Sequence, residues 1–112
     1  MNCIFCKISA GELPAEVIYQ DEKILVFRDI RPASPIHVLI IPHEHISSAN
    51  ELKEEHSVLL GYIFTKIPHI ATLCGAENGY RIVTNVGEDG MQEVEHLHFH
   101  LLAGRELGRI CE

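Results

Sequence analysis

Apolar positions along this chain recur with two periods, near two and near 3.6, and the period switches at turn-forming residues. Residues 2–10 carry Ile4, Phe5 and Ile8 and are followed by Gly11. They predict a short helix with Asn2 as cap, Gly11 as stop, and Phe5 and Ile8 on one side. Residues 16–20 and 24–28 read as two strands joined by the polar turn Asp21-Glu22-Lys23, an antiparallel hairpin. A loop with Pro32 and Pro35 follows. His37-Val38-Leu39-Ile40-Ile41-Pro42 is nearly all apolar, as expected of a central strand covered on both faces and ended by its proline. Ser47 or Ser48 is placed to start a helical turn. Between 53 and 74, Leu59, Leu60, Ile63, Phe64, Ile67, Ile70, Ala71 and Cys74 are spaced by threes and fours. They predict one long amphipathic helix, kinked at Pro68 and capped by Gly75. Residues 80–85 predict a fourth strand, 86–91 a glycine-containing loop, 96–102 a fifth strand ended by Gly104, and 105–112 a tail. The sum is an α+β fold: one domain over 1–112, a five-stranded antiparallel sheet with one long and one short helix on one side.

The fifth strand changes the picture. In His96-Leu97-His98-Phe99-His100-Leu101-Leu102, three imidazoles alternate with large apolar residues. A strand places the histidines on one face and Leu97, Phe99 and Leu101 on the other; a helix would scatter them. A neutral imidazole with Nδ1–H held by an acceptor presents a bare Nε2, able to attack phosphorus and form a phosphohistidine that water then cleaves. The bland alternative is an incidental polar face. A third is a catalytic zinc on His96, His98 and His100.

Composition narrows the partners. Apolar residues make up 46% and charged residues 22%, ordinary for a globular protein. The net charge of −7 argues against binding a nucleic-acid backbone, which needs a basic face. No apolar run approaches the ~20 residues of a membrane span, and no secretory leader is evident, so a cytoplasmic location is expected. In that compartment, Cys3, Cys6, Cys74 and Cys111 are expected as thiols or ligands rather than disulfides.

The sequence resembles the histidine triad (HIT) family. The resemblance rests on His96–Leu102, on Ile4-Phe5-Cys6-Lys7-Ile8, on Phe27-Arg28-Asp29-Ile30, on His37–Pro42 followed by His45-Ile46, and on Asn85. Leu101 to Gly108 is most similar to the Hint-type branch, the histidine triad nucleotide-binding proteins. The resemblance implies a HIT-like fold and a homodimer whose sheets join across the interface. It also implies a purine nucleotide such as AMP or GMP as ligand, and hydrolysis of nucleoside 5′-phosphoramidates or acyl-nucleotidylates. It makes His98 the nucleophile, with His37, His96 and His100 assisting. Asn85 and Gln92 would contact phosphate, Asp29 the ribose hydroxyls, and Phe5, Ile8, Phe27 and Ile30 the base. Without the resemblance, those four apolar residues read as plain core and Asp29 as the start of a turn.

The loop before the triad departs from the family pattern. Met91-Gln92-Glu93 stands where the family usually has Gly-Gln-Ser/Thr, or Gly-Gln-Glu in some members. Met91 adds bulk, and Glu93 adds a charge suited to a cationic leaving group. Cys3-x-x-Cys6 alone is a weak motif. Some bacterial HIT proteins bind a structural zinc through two cysteines and two histidines, which here would be Cys3, Cys6, His45 and His96. Two buried thiols packing a helix is the other reading. Cys74 fits the long helix's apolar face, and His43, His56 and His69 are expected at the surface.

Overall fold

The computed structural model describes residues 3–110. Strands β1 (Val17–Gln20), β2 (Ile24–Arg28), β3 (Ile36–Pro42), β4 (Arg81–Val83) and β5 (Phe99–Ala103) form one antiparallel sheet of order β1-β2-β3-β5-β4. Helix α1 spans Ile4–Ser9 and α2 spans Ser57–Cys74.

Strand alternation divides the core in two. Ile24 and Val26 of β2, Val38 and Ile40 of β3, and Phe99, Leu101 and Ala103 of β5 pack against Ile63, Ile67 and Ile70 of α2. The intervening Leu25, Phe27, Leu39 and Ile41 pack against Cys3 and Phe5 of the N-terminal segment. The two helices therefore cover opposite faces, not one side as the sequence suggests. Both faces of β2 and β3 are apolar, so both need a cover.

Local chemistry explains the boundaries. The α1 cap is Cys3, whose Sγ accepts from Cys6 N–H, and the cap expected at Asn2 lies outside the described residues. A 3₁₀ turn at Ala49–Glu51 is capped by Ser48. Another turn, Glu54–His56, leads into α2, which runs unbroken through Pro68. Gly75 ends it at φ 81°, the left-handed region open to glycine. With its lead-in turn, α2 is long and apolar enough by length and composition to cross a bilayer. In the fold its isoleucine stripe is core instead.

A polar knot fastens α2 to the β1–β2 hairpin. Asp21 accepts from the Tyr19 hydroxyl (2.7 Å), the Tyr62 hydroxyl, and the N–H groups of Lys23 and Ile24. Burial pushes its carboxyl up, but these donors outweigh that and hold it well below the usual carboxylate range. His43 and His56, expected at the surface, are half-buried. His43 bridges Ser9 Oγ and the Asp21 carbonyl, and His56 Nδ1 accepts from Lys53 N–H. His69 is exposed, edge-on to Tyr19, and Cys74 is buried in the α2 core as expected.

Candidate active site

Of the three histidines in the expected strand, only His100 lies in the ladder, paired with Leu39. β5 begins at Phe99, three residues later than the pattern predicts. Local bonds replace the ladder before it. Leu97 N–H donates to Ile46 O (2.6 Å), and Thr84 Oγ1 donates to His98 O (2.7 Å). The alternation survives: Leu97, Phe99 and Leu101 enter the α2-side core, while the Phe5 ring stands edge-on to His96 and His98.

His98 is buried and donates from Nδ1–H to the His96 carbonyl at 2.6 Å. In the neutral ring its Nε2 therefore carries the lone pair. His37 joins this face because β3 and β5 pair Leu39 with His100 and His37 with Leu102, which makes the two histidines diagonal neighbours. His37 Nε2 is 2.9 Å from His100 Nδ1 and 3.4 Å from Asp29 Oδ2, and His37 Nδ1 accepts from Ala33 N–H at 3.0 Å. Burial, helped by the neighbouring His98 and His37, pushes the His100 imidazole down to about 4 against the raising pull of Asp29. Burial likewise lowers His37, with Asp29 opposing. Both rings are thus neutral at neutral pH.

His96 is turned to a different task. It is fully buried, its Nε2–H donates to Pro42 O at 2.8 Å, and its Nδ1 is 3.3 Å from Cys3 Sγ and 3.5 Å from Cys6 Sγ. His45 Nδ1 is 3.3 Å from Cys6 Sγ, and the four ligand atoms all lie within 4.8 Å of one another. A tetrahedral zinc with ordinary Zn–S and Zn–N bonds sets its ligand atoms about 3.3–3.8 Å apart. The donor set fits, and the Pro42 carbonyl fixes the His96 tautomer that ligation needs. Both ring nitrogens of His96 are engaged by these groups, so of its two expected roles, catalytic and metal-ligating, its geometry fits the second. The same observation dissolves the expected zinc set His96, His98 and His100: His96 faces the cysteines, and among the described residues the three rings do not gather their nitrogens at one point.

The expected substrate contacts divide. Phe5 and Phe27 are buried against each other, ring centroids 5.5 Å apart, as plain core. Ile8 is half-buried at the edge of that cluster, while Ile30 is 92% exposed and offers its whole side chain. Asp29 accepts from Arg31 N–H at 2.8 Å, so it does begin a turn, yet its other oxygen faces His37. Asn85 is half-buried two residues beyond β4. The Gln92 amide, expected on phosphate, instead braces the loop: it donates to Ser47 O and Val94 O and accepts from Gly87 N–H. Glu93 is exposed. Met91 is 77% exposed at φ 58°, the only non-glycine residue with positive φ among those described. Sequence reasoning missed Ala33 N–H, Pro42 O and Thr84 Oγ1. The first two are backbone groups with no side-chain signature, and the third is an ordinary threonine just past the end of β4. A cleft of about 480 Å³ lies elsewhere, beyond the ends of α2 and β5, lined by Asn78, Tyr80, Arg81, Arg105 and Glu106 among others.

Over residues 2–111 the chain matches the family described as scavenger mRNA decapping enzyme C-term binding. It is 46% identical over 106 residues to the purine nucleoside phosphoramidase of Escherichia coli K12, covering 94% of this chain and 89% of that one. It is 44% identical over 106 residues to a 14 kDa zinc-binding protein of Zea mays, covering 93% and 83%. A histidine triad protein from Clostridium difficile superposes with TM-score 0.93 at 40% identity, covering 97% and 96%. A HIT family hydrolase from Legionella pneumophila Philadelphia 1 gives 0.91 at 49%, covering 96% of each chain. With the histidine geometry and these full-length matches together, the chain belongs to the histidine triad family.

Proposed function

We propose that this protein is a hydrolase of purine nucleoside 5′-phosphoramidates, or of the related acyl-nucleotidylates, acting through a covalent nucleotidyl-His98. The observation that carries this reading is the 2.6 Å bond from His98 Nδ1–H to the His96 carbonyl, which leaves Nε2 as a bare nucleophile in a buried position. The E. coli relative named for this activity supports the substrate class.

In this scheme His98 Nε2 bonds to phosphorus as the phosphorus–nitrogen bond breaks. The leaving nitrogen takes a proton from solvent to depart as the amine, and the later attack of water on phosphorus releases one proton in return. The positive charge on the phosphorylated imidazole is met by the His96 carbonyl. Water then attacks phosphorus and restores His98, so the net reaction adds one water to give the monophosphate and the amine. His100 donates to a phosphoryl oxygen, and Asp29 accepts the ribose hydroxyls. Zinc, held by Cys3, Cys6, His45 and His96, would serve a closed structural site, since all four positions are taken by protein. The maize relative's name supports this metal. We further propose a cytoplasmic homodimer.

Rapid quenching with adenosine 5′-phosphoramidate and mass spectrometry tests the scheme. Adenylate on His98 is the expected result. His98→Ala should reduce turnover by about a thousandfold or more while nucleotide binding persists. Turnover by the wild type with no trapped nucleotide would overturn the covalent step. A metal-dependent reading finds one foothold, the cluster of Asp29, His37 and His100 within 4.8 Å. It predicts that brief exposure to EDTA abolishes turnover in protein that stays folded and keeps its Cys/His-bound zinc.

A further inference from the structure

The direction of the hydrogen bond between His37 and His100 is decided by a main-chain amide. We infer that the Ala33 N–H is a positioning group: it fixes His37 as the Nε2–H tautomer, so that His100 must present Nε2–H, a fixed donor, toward the substrate.

The inference rests on proton counting. Ala33 N–H donates to His37 Nδ1 at 3.0 Å, so that nitrogen carries a lone pair. A neutral imidazole has one proton, which must then sit on Nε2. Two acceptors face Nε2: His100 Nδ1 at 2.9 Å and Asp29 Oδ2 at 3.4 Å. The carboxylate is itself oriented by Arg31 N–H, and an anion so close to Nε2 requires a proton there. His100 Nδ1 accepts, so its single proton lies on Nε2. The loop between Asp29 and β3 thus writes a polarity through three groups, from Ala33 through His37 to His100. The lowered proton affinity of both rings agrees, since each stays neutral.

Two consequences follow. The pair can polarise a phosphoryl oxygen, but His37 has no second proton to hand on, so it does not act as a relay to the leaving group. The cluster Asp29, His37 and His100 is also a poor metal site despite its spacing, because His37 Nε2 carries a proton where a metal needs a lone pair. His96 shows the opposite arrangement, with a carbonyl on Nε2 freeing Nδ1 for ligation.

The catalytic part of this inference rests on the phosphoramidate reading, but the tautomer does not. Long-range ¹H–¹⁵N correlation spectra of histidine-labelled, substrate-free wild type at neutral pH are expected to show His37 and His100 protonated on Nε2 alone. His37 protonated on Nδ1 would overturn the inference outright, even if turnover is normal. Ala33→Pro deletes the donor, and Ala33→Gly keeps it. The proline variant should redistribute the His37 tautomer and lower kcat on adenosine 5′-phosphoramidate about a hundredfold, the usual effect of losing one oxyanion donor, with KM little changed. The glycine variant should match wild type in both readouts. A redistributed tautomer with unchanged kcat would refute the positioning role. Should Ala33→Pro fail to fold, the wild-type spectra still decide. Correct tautomers in a wild type that turns over no phosphoramidate would sink the proposed function and leave the tautomer assignment standing.

Discussion

Met91 and Glu93 show how single side chains modify this loop. Gly90 has no room for a Cβ, which would fall 2.5 Å from the Val86 carbonyl oxygen, so the turn is tight. Met91 continues it at φ 58°, a conformation that costs a side-chain-bearing residue about 1–2 kcal/mol. Its side chain is mostly in water and contributes little packing in return. Met91→Gly should therefore raise stability by up to about 1 kcal/mol, after glycine's greater unfolded-state freedom is deducted. Urea denaturation measures this, and a loss of stability would contradict a strained Met91 backbone. Glu93 is exposed and acidic, five residues before His98 along the chain. Glu93→Ser should lower the preference for lysyl over neutral leaving groups, read as a ratio of kcat/KM values. An unchanged ratio rules out a role in leaving-group selection.

At the scale of elements, the proposed nucleophile, His98, is held by something other than the sheet. Residues 96–98 precede the β5 ladder. They are tied down through His96, whose ring faces the two cysteines while its carbonyl holds His98. Phe5, between Cys3 and Cys6, lies edge-on to His98 with ring centroids 5.1 Å apart. Helix α1 is only six residues long, too short to be stable alone, so these side-chain ties must hold it. Cys3→Ser should abolish zinc binding, measured by atomic absorption. It should also remove the stabilisation that bound metal supplies, about 4 kcal/mol when free zinc stands a thousandfold above Kd. Equal unfolding midpoints for metal-loaded wild type and Cys3→Ser would show that the cluster holds no structural metal.

For the whole molecule, the buried imidazoles couple folding to pH. His37 and His100 bind protons less readily when folded, His100 near 4, than the ~6.5 of an unfolded histidine. The unfolded chain takes up more protons in that window, so stability rises with pH. Their contribution is fully present above about 6.5 and is lost as pH falls toward 4. The low Asp21 carboxyl acts in the same sense at lower pH, where its protonation would weaken the knot to Tyr19 and Tyr62. Urea midpoints should therefore fall steadily from pH 7.5 to pH 5. A flat or rising profile at constant metal loading would contradict the buried, neutral state of these rings.

Periodicity alone determined all five strands, the long helix with its Gly75 cap, and the short helix, each within a few residues. These depend on local alternation and local turn chemistry, which the sequence carries explicitly. The HIT motif likewise marked His98 and paired Cys3 and Cys6 with His45 and His96. Tertiary structure decided what depends on partners far along the chain. The α1 and α2 helices took opposite faces because both sides of β2 and β3 are apolar. The ladder began at Phe99 because the residues before it bond to Ile46 and Thr84 instead. Above all, it gave like histidines unlike duties. An imidazole's role follows from which nitrogen is engaged, and here that is set by main-chain groups: Pro42 O for His96, His96 O for His98, and Ala33 N–H for His37. Every residue but proline carries the same N–H and C=O, so no sequence pattern marks the few that matter.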